Sequence, residues 1–301
     1  SGCQQDLQAY LASIAGKQTI LEKVAESPDQ SFAGALKSNY RPQQNRSSTL
    51  LSLAWDNRKL RMDRNGTIRF GAPLSLTHYQ IYWRYYLTPK LGTGRNLILD
   101  GEGAGVVPGY SRKLEAPDLP VPVIRLDEVG VVYGERAYVA PFGAPRSPEH
   151  GGPWLYDRPV AVAEYTVTNT TDSTAKVSLQ LDLVDNQYAD PGTVIGVYPY
   201  TEIHMNPAYD TVPTKLEAVG DRVVATSTDG LVAVFDGEGA PGLACQLDGG
   251  KATWTGQLAP GGVAKVVAYA PLEWQLPVDE QAVLADSERL HSATVAYWEA
   301  L

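Results

Sequence analysis

Cysteine is almost absent from this chain, with Cys3 and Cys245 the whole supply. A single disulfide is the most it could form, and two cysteines alone cannot build a structural zinc site. No stretch approaches the roughly 20 apolar residues that cross a bilayer as a helix. Runs of positive charge are also missing. The longest basic cluster, Arg58-Lys59-Leu60-Arg61, is broken at once by Asp63, and 34 acids face 25 Lys and Arg for a formal net charge of -9. That field repels a nucleic-acid backbone, so nucleic acid is excluded as a partner. The histidines, His78, His150, His204 and His291, are far apart, with no HxxxH or HExxH spacing to suggest a metal centre. No GxSxG elbow supports serine hydrolase chemistry. Gly101-Glu102-Gly103-Ala104-Gly105 has the glycines of a dinucleotide fingerprint but not the helix behind them. Val106-Val107-Pro108-Gly109 follows instead, so the segment reads as a turn.

What is present is turn chemistry, tyrosine and a period of two. The 301 residues include 28 Gly, 21 Pro, 17 Tyr and 6 Trp but only 4 Phe. Residues 1–48 read as a helical N-terminal segment and linker. Leu7, Tyr10, Leu11, Ile14, Leu21 and Val24 recur at helical spacing, and a polar stretch from 38 to 48 follows. Residues 49–275 read as the main domain. Leu51–Trp55 alternates, and Asn65-Gly66 is a strong hairpin turn before Thr67–Phe70. Further strands are expected at Tyr79–Leu87, Val121–Leu126, Val129–Tyr133, Val160–Thr168, Ala175–Leu183, Thr193–Tyr200, Lys215–Ala218, Arg222–Thr226, Leu231–Asp236, Lys251–Gln257 and Ala264–Ala270. Many short strands with almost no helix between them predict a large antiparallel two-sheet β-sandwich. Residues 276–301 read as a C-terminal helix or linker that stops mid-pattern, as in a truncated parent or a helix docked on a sheet. Asp100–Ala104 and Asp236–Ala240 share the sequence DGEGA, each after an apolar strand.

Candidate site residues cluster in the turn-rich segments. Residues 88–120 and 141–159 are long Gly- and Pro-rich loops, the usual carriers of function on a sandwich. An exposed flat ring beside hydrogen-bonding groups suits a sugar. Trp154 and Tyr156, with Tyr110, Trp83 and the polar neighbours Glu149 and His150, form the candidate glycan site. Gly151-Gly152-Pro153 makes a buried strand position for Trp154 unexpected. Asp182, Asp185, Asn186 and Asp190, hard oxygen donors at a strand end, are a candidate structural Ca²⁺ site that competes with an Asx-rich turn. Ser1-Gly2-Cys3 reads either as the end of a lipoprotein signal with Cys3 lipidated or as an ordinary chain start. Together with sequons at Asn45, Asn65 and Asn169, it leads to an expected extracytoplasmic location.

Ala161–Leu179, with its strand end Thr168-Asn169-Thr170-Thr171-Asp172 and the returning Lys176-Val177-Ser178-Leu179, resembles a strand–turn–strand of bacterial carbohydrate-active enzymes. Leu258-Ala259-Pro260-Gly261 resembles the turn before the last strand of such a domain. Ala296–Leu301 resembles the helical linker into an (α/α)₆ barrel. Together, over about 50–301, these resemble the N-terminal β-supersandwich (galactose-mutarotase-like) of glucoamylase-like and phosphorylase-like glycoside hydrolases. The resemblance implies a non-catalytic, carbohydrate-associated domain that partners a helical-barrel catalytic domain, since the catalytic acids of those families sit in the barrel. Two other functions remain open on the residues. One is a structural or interaction protein of the cell envelope, and the other a sugar epimerase or polysaccharide lyase working on the sandwich face.

Overall fold

In the computed structural model the chain divides into two compact units, Ser1–Asn45 and Arg46–Leu301. The structure describes residues 48–63, 65–71, 83–92, 109–147, 152, 154–188, 209–228 and 230–301, together with 12, 15 and 16. The expected N-terminal helix, Cys3, and the expected strand at 193–200 lie outside the described residues.

The second unit is two antiparallel sheets, as the sequence predicts. One runs β1 (Thr49–Leu51), β2 (Leu60–Met62), β3 (Ile68–Phe70), β4 (Tyr85–Leu91), β9 (Ala175–Tyr188), β15 (Lys251–Leu258) and β14 (Leu243–Asp248), with β10 (Tyr209–Pro213) also paired to β9. The other runs β11 (Lys215–Val219), β12 (Arg222–Ser227), β13 (Gly230–Asp236), β16 (Val263–Pro271), β8 (Val160–Asn169), β7 (Val131–Ala140), β6 (Pro122–Glu128) and β5 (Tyr110–Leu114).

Strand alternation builds the core between them. On β9, Val177, Leu179, Leu181 and Leu183 point inward, and Trp254 of β15 joins them. From the other sheet Tyr133, Ala137, Ala163, Tyr165 and Val167 face back. The second sheet is also covered on its outer face. There Tyr138, Val160, Val162, Val234 and Tyr269 pack against Leu276, Leu284 and Leu290 from the C-terminal segment. Burial on both faces explains why Val160-Ala161-Val162-Ala163 is continuously apolar rather than alternating. The covering layer is two helices, α1 (Val278–Leu284) and α2 (Ser287–Glu299), rather than one. Asp286 separates them and caps α2 by accepting from Arg289 N at 3.0 Å. Residues 276–301 therefore fold as part of the same compact unit as the sandwich.

Two of the three motifs behind the family resemblance meet in space. Asn169, at the end of β8, is fully buried, and its Nδ2 donates to Ser173 O at 2.7 Å and Leu258 O at 2.9 Å. Its Oδ1 accepts from Thr171 N at 3.0 Å and Thr171 Oγ1 at 2.7 Å. The backbone closes the latch, with Asn169 N donating to Gly262 O and Gly261 N to Asn169 O, both at 2.9 Å. One asparagine thus ties the β8–β9 turn to the β15–β16 turn, and its burial makes it unsuitable as a glycan acceptor in the folded chain.

Several expected boundaries move. The alternation at Leu51–Trp55 is not a strand through its length. β1 ends at Leu51, and the chain turns at 52–55 through a bond from Asp56 N to Leu53 O. Val129-Gly130 is the β6–β7 hairpin turn, with Val129 at φ 52°, so β7 starts at Val131. Three strands that the sequence does not announce are β5, β10 and β14. β5 and β14 lie at sheet edges and carry mostly exposed or half-buried positions.

Candidate functional site

The β7–β8 connection continues as a hairpin beyond the sheet. Pro145 and Tyr156 pair across it. Arg146 N donates to Leu155 O at 2.7 Å, Asp157 N to Ala144 O at 3.2 Å, and Arg158 N to Phe142 O at 3.2 Å. At the tip, Gly152 at φ 110° lies directly beneath the Trp154 indole. A Cβ there would stand 2.7 Å from the ring, so the glycine allows the ring to fold back over the turn.

The 52–58 segment is bolted to this hairpin. Arg58 is buried and forms a forked pair with Asp56, with Nη2 at 2.7 Å and Nε at 3.0 Å from the carboxylate. The guanidinium then donates to Tyr156 O at 2.6 Å and Asp157 O at 2.9 Å. A buried charge so fully paired fixes position.

The last turn of α2 completes the arrangement. The Tyr297 hydroxyl donates to Trp154 O at 2.6 Å and accepts from Ala54 N at 3.0 Å. Burial holds this phenol above its usual pKa, so it keeps the proton it donates. Its ring meets Tyr156 edge-on at 6.0 Å and Trp298 at 5.5 Å. One oxygen thereby brings two tryptophan-bearing turns together: Trp154 is 37% exposed, and Trp55, beside Ala54, is 87% exposed at φ 61°. A left-handed backbone at a bulky residue is rare and costs energy, and such strain gathers at functional surfaces. Glu273, a further non-glycine residue with a left-handed backbone at φ 65°, lies within electrostatic reach of Arg58, Asp56 and Arg146. On the same hairpin a cleft of about 350 Å³ is lined by Ala144, Pro145, Arg146, Ser147 and Asp157. An exposed indole on the hairpin that also carries a cleft with cationic, hydroxyl and carboxylate groups can stack on a flat ligand while those groups hydrogen-bond its rim.

The sequence-chosen residues do not all gather here. Trp154 is exposed at the hairpin tip and Tyr156 is half-buried beneath it, packed on the sandwich core. Trp83 is 5% exposed, a core position just ahead of β4, and not an exposed ring. Tyr110 begins strand β5 rather than sitting in a loop, and packs partly against the core. Glu149 and His150 lie outside the described residues. Trp55 ends the alternating run Leu51–Trp55, and no sequence signal separates it from a strand position.

The acidic strand end does not form one shared cage. Along β9 the alternation puts Asp185 on the buried face and Asp182 on the opposite one, so these two cannot both reach a single ion. Asp185 instead holds Arg84, with Nε at 2.8 Å and Nη2 at 3.0 Å. Burial raises the pKa of Asp182, partly offset by Lys251. The Asn186 side chain and Asp190 lie outside the described residues, and no cluster of three or more His, Cys, Asp or Glu side chains suited to a metal occurs among those described.

No protein-family model matches the chain. No curated protein matches it either. Among solved structures, a protein assigned as a kojibiose phosphorylase, from the human microbiome, aligns over 87% of this chain at 9% identity and a TM-score of 0.32. The chain spans 36% of that protein.

Proposed function

We propose that this sandwich is a non-catalytic carbohydrate-binding domain whose glycan seat is the platform of Trp55 and Trp154. The observation that carries the reading is the Tyr297 hydroxyl, which holds both tryptophan-bearing turns at hydrogen-bond distance, with Trp55 87% exposed and the 350 Å³ cleft on the same hairpin. Left in water, two indoles lose the stabilisation of burial, and a backbone strained to display one of them adds to the cost. A sugar ring recovers it by stacking its apolar face on the indoles. Arg146, Ser147 and Asp157 then meet its hydroxyls. The sequence resemblance to the sandwich of helical-barrel glycoside hydrolases supports the same class, and extends the proposal to an accessory role beside such a barrel and to an extracytoplasmic setting.

Titrating soluble oligosaccharides while following tryptophan emission tests the reading. Binding at the platform shifts the emission of exposed indoles to the blue and saturates. A flat response to every oligosaccharide, with instead a shift on adding a partner protein, would replace the glycan with a protein-docking role for the same surface.

A further inference from the structure

The DGEGA turn after β13 has no part in the aromatic platform, yet it forms one wall of a second cleft. This cleft, of about 270 Å³, opens on the helix-covered face of the second sheet and is lined by Asp236, Glu238, Gly239, Lys265, Val267, Ala285 and Ser287. The turn is built to present Asp236. Glu238 N donates to Asp236 Oδ1 at 3.0 Å, which fixes the carboxylate and leaves Oδ2 turned away. Gly239 O accepts from Lys265 N at 2.6 Å, and a Cβ on Gly239 would stand 2.9 Å from Lys265 O, so only glycine lets the turn lie this close to β16.

Two buried polar atoms here are left without a hydrogen bond from the described residues: Asp236 Oδ2 and the Tyr269 hydroxyl. Their residues are 5% and 1% exposed. Asp236 pairs with Val267 across β13 and β16, which makes Tyr269 its diagonal neighbour on the same face. Tyr269 lies within electrostatic reach of Asp236 and next to Ser287, without a bond of good geometry to it. Buried polar atoms are nearly always partnered, so the orphan Asp236 Oδ2 in the cleft wall, with the Tyr269 side chain next to it on the same sheet face, is a recognition feature.

The surrounding charges narrow what the partner can be. Arg222 Nε stands 3.6 Å from Asp236 Oδ2, an ion pair without a hydrogen bond. Lys265 Nζ is held at 2.7 Å by Glu288 and at 3.3 Å by Glu164. With both cations answered by carboxylates, the cleft calls for neither a metal ion nor an anion. It lacks a neutral group that can donate to Asp236 and exchange a hydrogen bond with Tyr269, which is the chemistry of a hydroxyl. The volume is at or below the lower end of the roughly 300–1,000 Å³ of drug-sized pockets, so it suits one small molecule.

We infer that this cleft binds a single neutral polyhydroxylated unit, a monosaccharide or cyclitol, through Asp236, Tyr269 and Lys265. The site shares only helix α2 with the platform, through Ser287 at its start and Tyr297 near its end, and does not depend on the tryptophans. The test is a titration of the 301-residue chain with glucose, galactose, mannose and myo-inositol, following the methyl resonances of Val267 and Ala285. Saturable shifts at these methyls are expected with at least one of the four. Asp236→Asn weakens that binding at least about tenfold, as does loss of a hydrogen bond to a charged group elsewhere. Tyr269→Phe, which removes only the hydroxyl and keeps the fold if Asp236→Asn does not, weakens it about fivefold. A Trp55→Ala, Trp154→Ala double variant keeps the shifts, which separates this site from the platform. No saturable shift with any of the four, equal shifts in Asp236→Asn and Tyr269→Phe, or loss of the shifts in the double tryptophan variant would each overturn the assignment.

Discussion

Glu135 stands on the inward face of β7, in one row across the sheet with Arg112, Ile124 and Tyr165. It is 1% exposed, and no described residue completes a hydrogen bond of good geometry to either carboxylate oxygen. Gly66 packs directly on it, where any side chain would collide with the carboxylate. Burial raises its pKa well above the usual carboxylate range, and Arg112 and the Tyr165 phenol offset only part of that. A carboxyl whose folded pKa is raised binds its proton more tightly in the native state. Its favourable contribution is complete below the unfolded pKa and is lost as pH rises toward the folded value. Glu135→Gln, neutral at every pH, should therefore be more stable than wild type at pH 8, by on the order of 1 kcal/mol, with the difference shrinking toward pH 4. Thermal melts across that range check it, and a variant less stable at pH 8 than wild type would reverse the sign. Legibility at this scale was uneven. Trp154 could be chosen because Gly and Pro on both sides rule out a buried strand. Trp55 could not, because whether an alternating run ends at one residue or the next depends on a turn that Tyr297, more than 240 positions away, holds by tertiary contact.

Elements whose turn residues dictate a conformation were readable. Asn65-Gly66 gave a hairpin, and TNTTD and LAPG mark the turns that Asn169 latches together. β5 and β14 escaped because edge strands with both faces largely wet carry no apolar alternation. Asn169→Ala removes donors and acceptors at one buried point and leaves the Leu258 and Ser173 carbonyls short of a partner. It should cost about 2–3 kcal/mol in a denaturant titration. A loss under about 0.5 kcal/mol would show that the latch only accompanies the turns rather than holding them. Helix α2 does two jobs. Leu290 docks it on the outer face of the second sheet, the Tyr138 phenol shares its one hydrogen between the Glu164 carboxylate at 2.7 Å and Ser287 O at 3.0 Å at its start, and Tyr297 reaches Trp154 O from its end. Tyr297→Phe keeps the ring and removes the hydroxyl. It should lower stability by about 1 kcal/mol and weaken glycan binding several-fold. Unchanged affinity beside the expected stability loss would mean that the tryptophans act without being held together.

At the largest scale, the second unit packs two eight-stranded sheets and a helical layer together, with Trp55 and Trp154 exposed on turns outside the strands. The class of this fold was legible because period-two patterning and dense turns leave few alternatives. The function was less so, since a sandwich supports many roles and only the placement of side chains chooses among them. Isothermal calorimetry of the 301-residue chain against a panel of soluble oligosaccharides, run in parallel on wild type, Trp55→Ala, Trp154→Ala and the buried-indole control Trp254→Phe, tests the central claim most directly. The account predicts saturable binding by wild type and Trp254→Phe, and a loss of about tenfold or more in each platform variant, or 1.4 kcal/mol. Oligosaccharide binding left unchanged by both platform substitutions, or no binding by wild type to any of the panel, would contradict it.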